Sequence, residues 1–398
     1  MKAVGVIVEF NPFHNGHGVH LRESRELSGR DRIVAVMSGN FVQRGEPALC
    51  DKWRRTKMAL LSGVDIVIEI PVPYVIAGAD YFARAGVGLL AATGVVDALS
   101  FGSEAGDLST IKEAGRVLAE EPPAYKNALR EKLAQGASFA TARGAALEAC
   151  LGETPDGLLT KPNNGLAMEY CKALRLLGDP MEIFTTHRTS GGPSATKIRR
   201  AFNVANDSAA NTSPFRIQDH LPPHALEILE AARKNGETAT LNDFSSIFRY
   251  LLSTRDFDLG EGLENRFRKL NGDFATLSDF LSAAKTKRYT LTRLQRAALK
   301  IILNITAADM AHYENHGGAQ YIRVLGFRKN SSNLLGEITK KATLPVITNG
   351  AAMDSILQSN TPAAKLLAKE LEAGDIYRTA TNAPGGFRSE RGNEIIIV

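Results

Sequence analysis

The chain has 398 residues, of which 44% are hydrophobic and 23% charged, with a formal net charge of +5. This length allows two or three domains, and the composition excludes a disordered or fibrous protein. The apolar run at residues 85–96 is well short of the roughly 20 residues that cross a bilayer, so no membrane span is predicted. Cys50, Cys150 and Cys171 form no CxxC pair, which argues against structural zinc and favours reduced thiols in the cytoplasm.

Strand and helix patterns alternate from the start of the chain. Apolar runs of strand length occur at residues 3–10, 32–39 and 64–71. The helical patterns between them, at 17–29 and 50–63, both end in glycine, as helices commonly do. This alternation predicts right-handed βαβ units and a parallel sheet.

The same alternation continues farther along the chain. A helix at 84–94 is followed by a strand at 98–104, residues 107–178 predict helices that cover or extend the sheet, and a late strand is predicted at 181–188. We therefore predict that residues 1–205 form one doubly wound α/β domain with a parallel sheet.

The second half of the chain has a different pattern. The segment at 202–224 is polar and contains Asn, Ser and Pro, which is typical of a linker. Successive helical patterns follow it, so residues 206–320 are predicted to be mostly helical. From Tyr321 onward, short apolar runs mix with a helical pattern, and residues 321–398 are predicted to form a small C-terminal α/β appendage.

The stretch EFNPFHNGHGVH, at residues 9–20, joins the first predicted strand to the first predicted helix. Open α/β sheets bind ligands at the carboxyl ends of their strands, and the start of a helix offers N–H groups and a dipole that favour anions. Gly16 lets a ring or a phosphate approach the backbone, and His14 and His17 are close enough in sequence to act on one ligand. These features predict a phosphate site.

Two other interpretations of this stretch stay open on the residues alone. His14 and His17 could be ordinary surface and helix-start residues. They could also bind a metal with His20, which would require all three on one helix face with a carboxylate nearby. Neither GxGxxG nor GxxxxGK[ST] is present, so the dinucleotide and P-loop mechanisms lack their residues.

A second glycine-rich turn, GGPSATKIRR at residues 191–200, opens another predicted helix and carries basic residues, so it is either a second anion site or an ordinary helix cap. Together the two stretches resemble the HxGH nucleotidylyltransferase superfamily, which implies a HUP-like fold and joining of a substrate to AMP or CMP with loss of pyrophosphate. Its Ser-Ser-Thr-x-Ile-Arg signature is matched at Ser194, Thr196, Ile198 and Arg199, with Ala195 in place of a serine.

A closer resemblance covers essentially the whole chain. The stretches MKAVGVIVEFNPFHNGH, VAVMSGNFVQRGEPA, KWRRTKMAL, FGSE, KPNNGLAMEY and KRYTLTRLQR, in this order, resemble the bacterial tRNA(Met) cytidine acetate ligase family. The resemblance implies that ATP and acetate give acetyladenylate and pyrophosphate. It also implies that the acetyl group then passes to N4 of the wobble cytidine of elongator tRNA(Met). In-line displacement at the α-phosphate needs charge neutralisation, so Mg²⁺ bridging the phosphates is expected.

The resemblance also implies site residues, with His14 and His17 as the catalytic pair. The expected ATP contacts are Ile7, Val8, Glu9, Phe10, Asn11, Pro12, Phe13, His14, Asn15, Gly16, His17, Gly18, Val19, His20, Gly102, Asn163, Asn164, Arg188, Ser194, Thr196 and Arg199. The choice between Asn163 and Asn164 stays open. Each of these residues also has an ordinary explanation: Gly102 could be a turn residue, the asparagines could form a helix cap, and Arg188 could be a surface charge.

Between Asp279 and Asp309 the sequence has basic residues but no acidic ones. Residues spaced three and four apart there share a cationic helix face, which favours contact with phosphates, and a tyrosine could stack on an unpaired base. A solvated amphipathic helix explains the pattern about as well. The expected tRNA contacts are Lys285, Lys287, Arg288, Tyr289, Arg293, Arg296 and Lys300.

Two further groups are candidates for contact with the same substrates. One group surrounds the second predicted helix and could reach acetate or tRNA, or could simply be solvated. It consists of Arg44, Glu46, Lys52, Arg54 and Arg55. A looser group that could flank the tRNA surface consists of Arg323, Arg328, Lys329, Lys340 and Lys341. A small-molecule adenylyltransferase and a nucleotide-sensing RNA-binding protein are the alternative functions.

Overall fold

The computed structural model describes most of the chain. The described residues are 2–152, 154, 157–187, 194–204, 215–260, 262–270, 274–286, 288–381 and 389–398. The expected ATP contact Arg188, the expected tRNA contact Lys287 and much of the predicted linker at 202–224 lie outside them.

Strands and helices alternate over the first part of the described chain. The strands are β1 (Ala3–Val8), β2 (Ile33–Ser38), β3 (Phe41–Val42), β4 (Glu46–Pro47), β5 (Ile66–Ile70), β6 (Val96–Ser103), β7 (Glu182–His187), β8 (Ile322–Phe327), β9 (Val346–Ile347) and β10 (Ile396–Ile397). The helices are α1 (Asn15–Ser28), α2 (Lys52–Leu61), α3 (Val72–Val75), α4 (Ala79–Ala92), α5 (Leu108–Glu120), α6 (Pro123–Ala134), α7 (Phe139–Leu151), α8 (Pro162–Leu176), α9 (Ala195–Val204), α10 (Pro223–Lys234), α11 (Ser245–Thr254), α12 (Leu263–Lys269), α13 (Leu277–Ala284), α14 (Leu291–Ile302), α15 (Ala307–Asn315), α16 (Ser332–Lys341), α17 (Gly350–Leu357) and α18 (Pro362–Ala380). Over the ranges given above, no helix combines the length and the apolar character needed to cross a membrane.

The main sheet is mostly parallel, which confirms the predicted α/β fold. Its strands lie in the order β10–β8–β5–β2–β1–β6–β7, with β9 paired to β8. β8 is antiparallel to β5, so the sheet is mixed at this side. The C-terminal tail is α/β, as predicted, but its strands extend the main sheet instead of forming a separate one. The division of the chain into three domains stays a prediction.

Both faces of the sheet are covered by apolar cores, and this explains why its strands are continuous apolar runs. On β2, Val34 belongs to the core on one face and the next residue, Ala35, belongs to the core on the other face. Helix α4 packs closely on the first face, because a Cβ added at Gly5 of β1 would lie 2.6 Å from the Leu90 Cδ1. The sheet is therefore wound on both sides, as predicted.

Candidate functional site

The predicted phosphate site lies where the sheet changes winding direction. β1 pairs with β2 on one side and with β6 on the other. The helices that follow these strands pack on opposite faces: Leu21 of α1 belongs to one core and Ile111 of α5 to the other. A crevice forms at the carboxyl ends of strands at such a point, and it is the usual ligand site of an open α/β sheet.

His14 and His17 form a stacked pair at the start of α1, with ring centroids 3.7 Å apart. The His14 Nδ1 accepts a hydrogen bond from the Gly16 N–H (3.1 Å), and the His17 Nδ1 accepts one from the His14 N–H (3.2 Å). These two bonds form a capping box made of imidazoles. A Cβ at Gly16 would lie 3.0 Å from the His14 Cε1, so glycine here also leaves room for that ring.

The capping bonds define the tautomer of both rings. Because each Nδ1 accepts a hydrogen bond, each neutral ring carries its hydrogen on Nε2, which is the nitrogen that can donate to a phosphate oxygen. His14 is only 2% exposed, and His17 is half-buried with Phe10 and Phe13 packed against its ring. The pair is therefore held in one orientation before a ligand binds.

The first backbone amides of α1 are already hydrogen-bonded. The Asn15 N–H donates to the His220 carbonyl (2.9 Å), and the His17 N–H donates to the His14 carbonyl (2.8 Å). The Gly16 N–H donates to the His14 ring. The prediction that these amides bind the anion therefore needs correction for this conformation, in which their N–H groups already have partners within the protein.

The carboxyl ends of β6 and β7 form the wall of the crevice beside α1. The His20 Nδ1 lies 2.8 Å from the Thr186 Oγ1, and Gly102 is paired with Thr186 in the sheet. This pairing places Gly102, an expected ATP contact, next to the helix that carries the histidines. Among the described residues, no group of three His, Cys, Asp or Glu side chains is arranged to hold a metal ion.

Burial distinguishes the two asparagines that the sequence left undecided. Asn164 is fully buried, and its Oδ1 accepts hydrogen bonds from the N–H groups of Glu104 (2.9 Å) and Ala105 (3.1 Å). Asn163 is half-buried and donates from Nδ2 to the Glu104 carboxylate (2.6 Å). Asn164 therefore supports the turn after β6, and Asn163 is the one that a ligand can reach.

The second motif brings Arg199 to the loop that carries the histidines. Ser194 caps α9 by accepting a hydrogen bond from the backbone of its first turn (3.2 Å). The Arg199 guanidinium donates to the Asn11 carbonyl (2.9 Å) and lies 3.4 Å from the Glu46 carboxylate. Ser194 and Thr196 are exposed at the start of the helix. The two motifs, far apart in sequence, thus meet at the crevice.

Glu9 is the acidic residue directly after β1. It is half-buried, and its Oε1 accepts a hydrogen bond from the Gln43 N–H (2.6 Å). Burial raises the pKa of Glu9, and the bond from Gln43 and the charges of Arg55, Arg199 and Arg44 offset this effect only in part. The carboxyl group therefore keeps its proton to a higher pH than an ordinary glutamate does.

Lys52 and Arg323 are buried, contrary to the prediction that they belong to basic surfaces. The inward face of α2 and strand β8 carry them to carboxylates that come from distant parts of the chain. They belong to a buried ionic cluster that consists of Lys52, Glu69, Arg323, Glu370 and Glu390. Neither cation can reach acetate or tRNA from this position.

The two arginines after Lys52 also have structural partners. Arg55 is fully buried and donates to the carbonyls of Glu9 (2.5 Å) and Ser38 (3.1 Å), so it supports the loops at the ends of β1 and β2. Arg54 forms ion pairs with Asp51 and with Glu237, which lies between α10 and α11. The prediction that α2 presents a solvated or ligand-binding face is therefore wrong for Arg55.

The basic face of α14 is half-buried, at Arg293, Arg296 and Lys300. Burial lowers the pKa of Arg296, and the nearby charge of Arg293 lowers it further, while Asp80 of α4 partly offsets these effects. Burial also lowers the pKa of Lys300, with Arg296 and Arg293 adding to the effect. Cations that repel one another in this way favour the binding of an anion.

Tyr289 does not present its ring to solvent. It is 8% exposed, and the guanidinium carbons of Arg288 and Arg293 lie 5.6 and 5.4 Å from its ring centroid. In this conformation the ring orients the arginines. The prediction that it stacks on an unpaired base needs correction. Lys285 and Arg288 are exposed, as a phosphate-binding role requires.

Sequence reasoning missed Glu104, Gln43 and Gln295 as residues that organise the crevice. Glu104 was present in the motif FGSE, but an acidic residue after a strand carries no signal of its own. Gln43 contributes a backbone N–H, and Gln295 acts through a contact with Glu46 (3.1 Å) that joins distant parts of the chain. No sequence pattern would have identified either contact.

The chain is similar to known proteins over nearly its whole length. The family described as HIGH Nucleotidyl Transferase matches residues 1–391. The chain is 40% identical over 397 residues to the tRNA(Met) cytidine acetate ligase of Caldanaerobacter subterraneus, with 96% of each protein covered. It is 36% identical over 398 residues to that of Acetivibrio thermocellus, with 95% of this chain and 94% of the relative covered. The crystal structure of Thermotoga maritima TmcAL bound with alpha-thio ATP matches with a TM-score of 0.91 and 33% identity over 100% of both chains.

Proposed function

The chain belongs to the HIGH nucleotidyl transferase family and, within it, to the tRNA(Met) cytidine acetate ligases, and from this premise we propose that it is an ATP-dependent tRNA acetate ligase. Acetate and ATP form acetyladenylate and pyrophosphate in the crevice, and the acetyl group then passes to N4 of the wobble cytidine of elongator tRNA(Met). The observation that carries the proposal is the stacked pair of His14 and His17 at the point where the sheet changes winding direction. Hydrogen bonds to both Nδ1 atoms hold the two rings, which leaves the hydrogen of each neutral ring on Nε2.

The first step is an in-line displacement at the α-phosphate of ATP. An acetate oxygen forms the new bond to phosphorus, and pyrophosphate leaves with the electron pair of the bond that breaks. The Nε2–H groups of His14 and His17 and the guanidinium of Arg199 would donate to the phosphate oxygens as charge moves onto the leaving group. Because the helix cap and the Asn11 carbonyl already hold these donors, they need little reorganisation.

The nucleoside is proposed to bind against the ends of β6 and β7. Gly102 has no side chain, so a flat base can approach the strand there. Asn163 offers an amide that Glu104 holds in place. The other expected contacts from Ile7 to His20 and in the second motif, together with Arg188, are part of this proposal.

The second step transfers the acetyl group to the tRNA. The cytidine N4 attacks the acetyl carbon, so that a C–N bond forms, the bond to the phosphate oxygen breaks, AMP leaves and the amine loses a proton. The basic face of α14 is proposed to bind backbone phosphates near the reacting base. Its position supports this role, because Gln295 of α14 contacts Glu46 (3.1 Å), and Glu46 faces Arg199 (3.4 Å).

Mg²⁺ is proposed to enter with ATP, where it would neutralise phosphate charge. The described residues contain no ready-made group of three metal ligands. Mg²⁺ commonly binds through substrate phosphates and water with few protein ligands, so the nucleotide itself can supply most of the coordination. The free cysteines and a tRNA substrate are consistent with the proposed cytoplasmic location.

The proposal is tested by incubating the protein with ATP, labelled acetate and unmodified elongator tRNA(Met), followed by nucleoside analysis. We expect label in N4-acetylcytidine and pyrophosphate release that requires acetate. Label in a small molecule, with pyrophosphate release independent of tRNA, would instead identify a small-molecule adenylyltransferase. Binding of ATP and RNA without pyrophosphate release would identify a nucleotide-sensing RNA-binding protein.

A further inference from the structure

The β3–β4 hairpin connects the crevice to α14. On the crevice side, the Gln43 N–H donates to the Glu9 Oε1 (2.6 Å), and the Glu46 Oε2 lies 3.4 Å from the Arg199 Nη2. On the other side, the Gln295 Nε2 donates to the Glu46 Oε1 (3.1 Å). The two oxygens of Glu46 therefore contact two different parts of the protein.

The turn of the hairpin packs directly against the backbone of α14. A Cβ at Gly45 would lie 2.5 Å from the Arg296 N and 2.8 Å from the Gln295 carbonyl carbon. Gly45 also has a φ of +82°, which L side chains rarely adopt. Because the two elements are in such close contact, a displacement of the hairpin requires a displacement of α14.

Arg199 is the group through which a nucleotide could move the hairpin. Its Nη1 donates to the Asn11 carbonyl (2.9 Å), and its Nη2 faces Glu46 at 3.4 Å. Charge-assisted hydrogen bonds are usually about 2.7–2.9 Å long, so the contact with Glu46 is a weak one. A bound triphosphate would be a stronger partner for Arg199, and Glu46 would then keep only its contact with Gln295.

We propose that Glu46 is a positioning residue that couples nucleotide binding in the crevice to RNA binding on the basic face of α14. This inference rests on the proposed function, since it requires a triphosphate at Arg199 and RNA phosphates at Arg296 and Lys300. Arg296 follows Gln295 directly, so a change in the contact of Glu46 moves the cationic face itself. Linkage requires that tRNA change the affinity for nucleotide by the same factor.

The coupling is measured as the dissociation constant of a non-hydrolysable ATP analogue, with and without saturating elongator tRNA(Met), in the absence of acetate. In the wild-type protein we expect the two constants to differ by about 5-fold or more. In Glu46→Gln and in Gln295→Ala the factor should fall toward 1 while both ligands still bind. Gln43→Ala is the matched control, because Gln43 contacts Glu9 through its backbone N–H, and it should keep the wild-type factor.

A double variant, Glu46→Gln with Gln295→Ala, separates coupling from general damage. If the two residues act through one contact, the double variant should lose no more coupling than either single variant. If both single variants kept the wild-type ratio of dissociation constants, the inference would be overturned. It would also be overturned if the wild-type protein bound both ligands without any coupling. A wild-type protein that binds the analogue but no tRNA would overturn the proposed function, which is a distinguishable result.

Discussion

Two nitrogen atoms of His14 have different roles. Its Nδ1 caps α1, and its Nε2–H is the proposed donor to a phosphate. Asparagine is among the best N-cap residues, whereas alanine is a poor one. His14→Asn therefore removes the imidazole and keeps the cap, and His14→Ala removes both.

We expect His14→Ala to lower the free energy of unfolding by about 1 kcal/mol and His14→Asn to change it little. Both variants should slow acetate-dependent ATP–pyrophosphate exchange by about 10²–10³-fold, which is the usual cost of removing one fixed donor at a reacting group. Urea denaturation and isotope exchange measure the two effects. Wild-type exchange in His14→Asn would show that the imidazole is not needed for the first step.

Asn163 and Asn164 should respond to substitution in opposite ways. Asn164→Ala leaves the N–H groups of the half-buried Glu104 and Ala105 without their acceptor, so we expect it to lower the free energy of unfolding by about 1–3 kcal/mol. Asn163→Ala should leave stability nearly unchanged and weaken ATP binding. Calorimetric titration with ATP and chemical denaturation test both effects. The reverse pattern would identify Asn164 as the ligand contact.

At the level of single elements, α14 gives a test of RNA binding. Each cation that contacts a phosphate releases counterions, so its loss reduces the salt dependence of binding. We expect Arg296→Gln and Lys300→Gln each to weaken tRNA binding and to reduce the slope of log K against log salt by about 1. Lys132→Gln, on α6 and outside the proposed surface, is the control. If the salt dependence of tRNA binding were unchanged in the α14 variants, the RNA would bind to another surface.

The elements that the sequence predicted are those whose signals are local. β1, β2 and β5 are apolar runs because they are buried on both faces, and α1 and α2 lie between them. The β3–β4 hairpin was not predicted, because its strands have two residues each and Gly45 is positioned by a helix that is distant in sequence.

The same distinction holds for the site. The histidine loop was recognisable because its residues are consecutive. The predicted surface positions of Lys52 and Tyr289 are wrong, because a cation or an aromatic ring in a sequence does not reveal what packs on it. In the structure, carboxylates from distant elements surround Lys52, and two arginines flank the Tyr289 ring.

On the scale of the whole molecule, the buried ionic cluster joins the N-terminal strands to the C-terminal tail. Lys52 of α2 contacts Glu69 of β5, Glu370 of α18 and Glu390 beyond it. Burial alone would lower the pKa of Lys52, but Glu390, Glu69 and Glu370 outweigh it, so the pKa is raised. The cluster can form only when the tail is docked, and its protonation should therefore affect the stability of the entire fold.

Glu370 is the carboxylic acid of the cluster whose pKa is raised. Burial, and then the charge of Glu69, raise the pKa of Glu370 from 4.5 to about 8. Between these values the folded chain binds a proton that the unfolded chain has released. This contribution to the free energy of unfolding is complete below about pH 4.5 and decreases as the pH rises toward 8. Glu69 does not contribute in this window, because its pKa is lowered: burial would raise it, but Lys52 and Arg323 outweigh burial.

Glu370→Gln removes this titration with little change in shape. We expect the stability of the wild-type protein, measured relative to that of the variant by urea denaturation, to decrease steadily between about pH 5 and pH 8. Titration of all other groups is common to both proteins and cancels in the difference. Glu372→Gln, an exposed position on the same helix, should follow the wild-type curve. Parallel curves for Glu370→Gln and the wild-type protein would show that Glu370 is ionised throughout this range, and that the cluster joins the tail to the sheet without making the fold sensitive to pH.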